Sequence, residues 1–157
     1  MPRALTLPAR RLAADRRGNL TIEFALALPI LFLLLVGLLD LGRFSLQKSS
    51  LLHGAREGAQ YAIMAPTDSA NINATARDST GLTGATATNN VFCECVSGTT
   101  VSCTTTCSGG VTLKKYVTVT TTRSFSSVLR MATTTFGSFG SWTPPTSATA
   151  SVTLIVP

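Results

Sequence analysis

Residues Arg16–Arg43 read "RRGNLTIEFALALPILFLLLVGLLDLGR". Sixteen consecutive residues, Phe24 to Leu39, carry no charge. With its apolar flanks this run is long enough to cross a bilayer with some adjustment. Two arginines and a glycine precede it, and a carboxylate, Glu23, stands just inside its start. A charge at the edge of the hydrocarbon is expensive, and such residues tend to have partners. The run therefore predicts a membrane anchor, and Glu23 predicts a second role for the anchor.

Working outward, hydrophobic residues make up 45% of the 157, but unevenly. Beyond the apolar run the chain is rich in Thr, Ser, Ala and Gly. One domain plus appendages is the reading for this length. The net charge of +6 is uneven too. Arg3, Arg10, Arg11, Arg16 and Arg17 stand against Asp15 alone in the first eighteen residues, leaving +2 for the rest. Positive charge in that position holds an amino terminus in the cytoplasm. It accounts for the pI of about 9.7 without nucleic acid. The four cysteines all follow the apolar run. They would then lie outside the membrane, where disulfides persist.

The chain divides into a basic leader (residues 1–18), a helix (19–65) and a Thr/Ser-rich β domain outside the membrane (66–157). The helix crosses the membrane over about 22–41. Beyond that, Leu52, Ala55, Ala59 and Ala62 recur with steps of three and four. Arg56, Glu57 and Gln60 lie off that stripe, and Pro66 supplies a stop. Such a helix spans roughly 70 Å at about 1.5 Å per residue, of which some 30 Å crosses hydrocarbon and the rest forms a stalk. Pro29 is tolerable within it. A short helix is expected near Asn71–Ser79. Strands are expected near Val91–Val96, over "YVTVTTTRSF" (Tyr116–Phe125), and over the terminal "ATASVTLIVP", with a Gly/Pro/Ser loop at "TTTFGSFGSWTPPTS" (133–147). The fold class is α+β: a long amino-terminal helix followed by a small antiparallel β domain. About ninety residues make a thin core, for which disulfides are a common remedy.

Cys93, Cys95, Cys103 and Cys107 read C-x-C and C-x₃-C. The C-x-C half is too tight for a zinc site, so two disulfides are expected and no metal. Three pairings are open. Pairing 93 with 95 would make a strained three-residue ring and is the least favoured. His53, the one histidine, lies in the helix beside Gly54, far from any strand-end nucleophile. The chain has no G-x-S-x-G, P-loop or H-E-x-x-H. No enzyme activity and no cofactor are expected. Asn73-Ala-Thr75 matches a glycosylation sequon, a pattern short enough to arise by chance. Gly54-x-x-x-Gly58 with Ala55, Ala59 and Ala62 predicts a close helix approach, either to another helix of an assembly or to the chain's own domain.

A secretory signal would need a small-residue cleavage site after the apolar run, and "VGLLDLGR" offers none. The same lack counts against a twin-arginine signal at Arg10–Arg11 or Arg16–Arg17. The opening instead resembles the processing site of type IV prepilins and pseudopilins: basic residues, Gly18, four residues, Glu23, then the apolar run. "GNLTIEFALALPILFLLLVGLLDLGR" followed by "LLHGAREGAQYAI" resembles the TadE-like family of the tight-adherence (Flp) pilus machinery. Glu23–Phe24, Pro29, Asp40 before Gly42–Arg43, and Ala55–Gly58 carry the resemblance. It implies a pseudopilin-like fold and cleavage between Gly18 and Asn19 by a prepilin peptidase. Glu23 and Phe24 would act in assembly, with the carboxylate meeting the Asn19 amine of a neighbouring subunit. The implied partners are that peptidase, other pseudopilins, the inner-membrane platform and membrane lipid. The implied location is the cytoplasmic membrane, single-pass, amino terminus inside, with incorporation into a pilus open. The alternative is an uncleaved single-pass envelope protein whose outer domain binds a ligand or surface.

Overall fold

The computed structural model describes residues 17–96, 98–128, 134–135 and 141–157. Leader residues 1–16 lie outside them. Helix α1 runs from Arg17 to Met64 with Pro29 inside it. Proline there does not end the helix. Two compact units divide between Leu39 and Asp40. The first holds the apolar half of α1; the second begins with its last turns and contains everything after.

In the second unit α1 is followed by α2 (Ser69–Asp78) and by strands β1 (Thr86–Val96), β2 (Thr99–Val101) and β3 (Lys114–Ser124), a two-residue pair β4 (Thr134–Thr135) and β5 (Ser141–Trp142), and β6 (Ser147–Val156). A 3₁₀ turn occupies Ser108–Gly110. The main sheet is antiparallel in the order β2-β1-β3-β6. Within the expected loop of residues 133–147, β4 and β5 form a short ladder; residues 136–140 lie outside those described. The first sheet strand starts at Thr86, five residues before its expected start.

Alternation on β3 decides the layering. Val117, Val119 and Thr121 are buried, while Tyr116, Thr118, Thr120 and Thr122 take the other face. The buried face meets the amphipathic half of α1 and, through Ile72 and Ala76, α2. One core cluster joins Ala59, Ala62, Ile72 and Ala76 to Val117, Val119 and Val156. The other joins Leu51 to Ala85, Ala148 and Ala150. The Thr121 hydroxyl, fully buried, donates to the Leu51 carbonyl at 2.8 Å, so its polar atom is satisfied. The expected stalk residues are thus one layer of the domain core.

The opposite face explains the threonine content. Thr118 pairs with Thr153 (2.7 Å) and Thr122 with Thr149 (3.3 Å) across β3 and β6. Phe92 stacks on Tyr116 at 5.3 Å. Such cross-strand pairs stabilise a solvated sheet face.

Helix α2 begins at Asp68, whose carboxylate accepts from the Asn71 backbone N–H at 3.2 Å and from its side-chain amide at 2.7 Å. These bonds, the side-chain one foremost, hold the Asp68 carboxyl below its ordinary range. That cap is present at neutral pH and is lost as pH falls through the lowered value.

The buried side of the core is mostly alanine and valine, so apolar burial is modest. Two disulfides, Cys93–Cys103 and Cys95–Cys107, tie β1 to the segment after β2. Cross-links over loops this short restrict the unfolded chain by on the order of 3 kcal/mol each in the chain-entropy model. The observed pairing is one of the two that avoid the three-residue ring.

Candidate functional site

In the first unit, every residue from Thr21 to Leu35 is exposed. Phe24 is 63% and Leu26 71% exposed. α1 is a helix long and apolar enough to cross a membrane. A helix pairs its backbone groups within itself, as hydrocarbon requires, and membrane helices tolerate the one donor that Pro29 removes. Water does not tolerate an unbroken apolar surface of this kind; lipid does.

Gly18 and Asn19 lie in the opening of α1, and Asn19 stands one helical turn before Glu23. Glu23 and Phe24 are both on the exposed surface. Among the described residues Glu23 has no hydrogen-bond or ion-pair partner. A carboxylate at the start of an apolar helix, with no partner among the described residues, is available to a donor from outside.

In the second unit Asp40 is buried, at 9% exposure. Its carboxylate accepts the Val128 backbone N–H at 2.9 and 3.0 Å and the Ser127 hydroxyl. Arg43 approaches from one turn on at 3.4 Å. The segment after β3 is thereby fastened to α1. Phe125, just before it, packs edge-on against Phe44 at 5.2 Å. The Asp40–Arg43 pair was readable from its i, i+3 spacing. Ser127 and Val128 were not: they are 87 and 88 positions away, and no local pattern marks them. Replacing Asp40 with alanine would take this charged acceptor from the Val128 N–H and the Ser127 hydroxyl, both part-buried contacts. The expected loss is about 1–3 kcal/mol, measurable by thermal unfolding of the full chain with disulfides intact. Unchanged stability would show that solvent replaces the carboxylate there.

The glycines of α1 separate by environment. A Cβ on Gly54 would stand 2.4 Å from the Ala76 carbonyl oxygen and 2.5 Å from Thr80 Cγ2. One on Gly58 would stand 2.6 Å from Ala76 Cβ. These glycines let α2 lie directly on α1. Of the two expectations for the small-residue stripe, the structure shows contact with the chain's own domain.

His53 is exposed on α1, 3.7 Å from Glu57. The four cysteines are paired as disulfides, so they are not zinc ligands.

Residues 18–60 match a protein-family model described as TadE-like protein. The matched stretch contains Gly18, Glu23, Asp40, Gly54 and Gly58, and associates this part of the chain with the membrane proteins of tight-adherence pilus systems. No match was found among curated proteins or among solved structures.

Proposed function

We propose, from the match of residues 18–60 to the TadE-like model, that the chain is a minor pseudopilin-like subunit for assembling a tight-adherence (Flp-type) pilus or a related secretion apparatus. The observation that carries this reading is Glu23, at the start of an exposed apolar helix and without a hydrogen-bond or ion-pair partner among the described residues. An isolated anchor gains nothing from such a charge. A subunit that bundles with others does, because a neighbour can supply the cation.

A prepilin peptidase cuts after Gly18 on the cytoplasmic side and leaves α1 in the membrane. The basic leader, worth +4 before the cut, favours an amino terminus inside and a β domain outside. Two disulfides in that domain support the same orientation. The chain then joins other pseudopilins and the inner-membrane platform through its apolar helix. Its role is structural: the disulfides occupy every cysteine, and His53 sits on an open helix surface.

Processing tests this reading. Co-expression with the cognate peptidase is expected to give a mature chain beginning at Asn19 by intact mass. Gly18→Leu is expected to remain full length, because a peptidase site at glycine accepts little side-chain bulk. A Gly18→Leu chain still cut before Asn19, or a wild-type chain never cut, refutes the proposal and favours an uncleaved envelope protein.

A further inference from the structure

A cavity of about 260 Å³ lies beside Arg43; Leu46, Gln47 and Ser50 of α1, Leu82, Arg123 and Phe125 complete its lining. It holds two guanidinium groups and no carboxylate. Arg123 has no hydrogen-bond or ion-pair partner among the described residues. Arg43 sits with its Cζ 6.0 Å from the centroid of the Phe125 ring, a cation–π distance that restrains it. Its contact with Asp40, at 3.4 Å, is long for a charge-assisted bond and leaves most of its donors free. The Gln47 amide donates to the Ser124 carbonyl at 3.1 Å and so holds the end of β3, with Arg123 on it, against α1. Among the described residues one of these cations is therefore unpaired and the other only loosely paired with Asp40, so the space keeps a net positive charge. That arrangement is unfavourable until an anion enters.

Position along the helix identifies the anion. Arg43 comes one turn after Leu39, the last residue of the uncharged run, which is about 6 Å farther along the axis. That is the depth of the headgroup layer flanking the hydrocarbon. Leu46, on the next turn, is 73% exposed and offers apolar surface beside the two charges. Guanidinium forks match the oxygens of a phosphate. We infer that this cavity binds the phosphodiester of an anionic membrane phospholipid. Arg43 and Arg123 are its two cationic ligands, Ser50 is an added donor, and Leu46 and Phe125 lie against the glycerol end of the acyl chains. A zwitterionic lipid carries the same phosphate, but its ammonium group would face the same arginines and be repelled.

The inference rests on α1 being a membrane anchor, so both are measured. The full chain, purified in detergent, is titrated by native mass spectrometry with phosphatidylglycerol, phosphatidylcholine and soluble glycerol phosphate. Phosphatidylglycerol is expected to be retained preferentially, and less so as ionic strength rises. Arg43→Gln and Arg123→Gln are each expected to weaken that retention about fivefold, from the usual contribution of one basic residue near an anionic membrane surface. Phosphatidylcholine binding is expected to stay unchanged. Arg123→Gln removes no hydrogen bond or ion pair of its side chain among the described residues, so its result stands even if Arg43→Gln loosens the Asp40 junction. Equal retention of the two lipids, or wild-type retention by Arg123→Gln, overturns the inference. Glycerol phosphate bound as tightly as phosphatidylglycerol overturns the lipid source and assigns the cavity to a phosphorylated solute. Flotation with phosphatidylcholine vesicles scores the anchor separately. A chain that floats without preferring phosphatidylglycerol refutes the site alone, and one that does not float refutes the anchor and the site with it.

Discussion

Glu23→Leu is expected to abolish co-purification with other pseudopilins, and piliation with it, while the chain still inserts and is still cut after Gly18. Insertion survives because leucine lengthens the apolar run and nothing in the chain's own described structure depends on the carboxylate. Assembly fails for an electrostatic reason. On the proposed reading, cleavage would create an α-amino group on Asn19 that is largely charged near neutral pH. It lies one turn from Glu23 of its own chain, and in a bundle a neighbour's amine can take its place. Only one axial stagger between subunits pairs each carboxylate with an amine. Every other stagger leaves a charge unpaired near lipid at a cost of a few kcal/mol, roughly a hundredfold or more per contact. Intact mass reports cleavage, alkaline extraction reports insertion, and affinity capture reports assembly, all from one membrane sample. Normal capture of partner subunits by the leucine variant would show the pairing role to be wrong. Loss of the cleaved mass would make Glu23 a recognition element of the peptidase instead.

The second large effect is expected at Gly54. In a free helix position, alanine in place of glycine stabilises by up to about 1 kcal/mol. Gly42 has nothing within 4 Å of an added Cβ and is expected to behave that way. At Gly54 the added carbon would meet a backbone oxygen at 2.4 Å, which cannot rotate aside. The clash outweighs the propensity gain, since overpacking alone costs about 1–3 kcal/mol for a single methylene. Gly54→Leu is expected to exceed that range by prising α2 from α1 and opening the cluster around Ile72 and Ala76. Such a loss is comparable with the lower end of a small domain's total stability. Thermal unfolding of Gly42→Ala and Gly54→Leu, side by side, decides it. Equal midpoints would show that α2 is not packed on α1 as described.

The ease of reading the sequence varied with the range of the interaction. The span of α1 followed from local information: an uncharged run, then Leu52, Ala55, Ala59 and Ala62 at helical spacing, then Pro66. The strand over "YVTVTTTRSF" was equally plain, because β-branched residues alternate along it. β1 was shortened because its first half, "TATNN", has no large apolar residue; Ala87 and Asn89 take the inward positions opposite Thr121 and Val119. Small side chains there suit the close-lying helices but carry no strand signal. Gly54 and Gly58 announced a close approach without saying to what, since glycine records the absence of a side chain and not the identity of the neighbour. The cysteine pairing and the Asp40–Val128 bonds depend on which segments fold back together. The Glu23 and Gly18 readings came from resemblance, and the matched stretch of residues 18–60 supports that resemblance at the level of the family.

The continuity of α1 has a mechanical consequence. Leu51, Ala55, Ala59 and Ala62, all fully buried, belong to the same helix that carries the apolar run. From Asp40 onward the helix is therefore not a spacer but part of the folded body. A tensile load arriving at Asp40 is borne by the domain's own interior, and the bonds at Asp40 are the first fastening it meets.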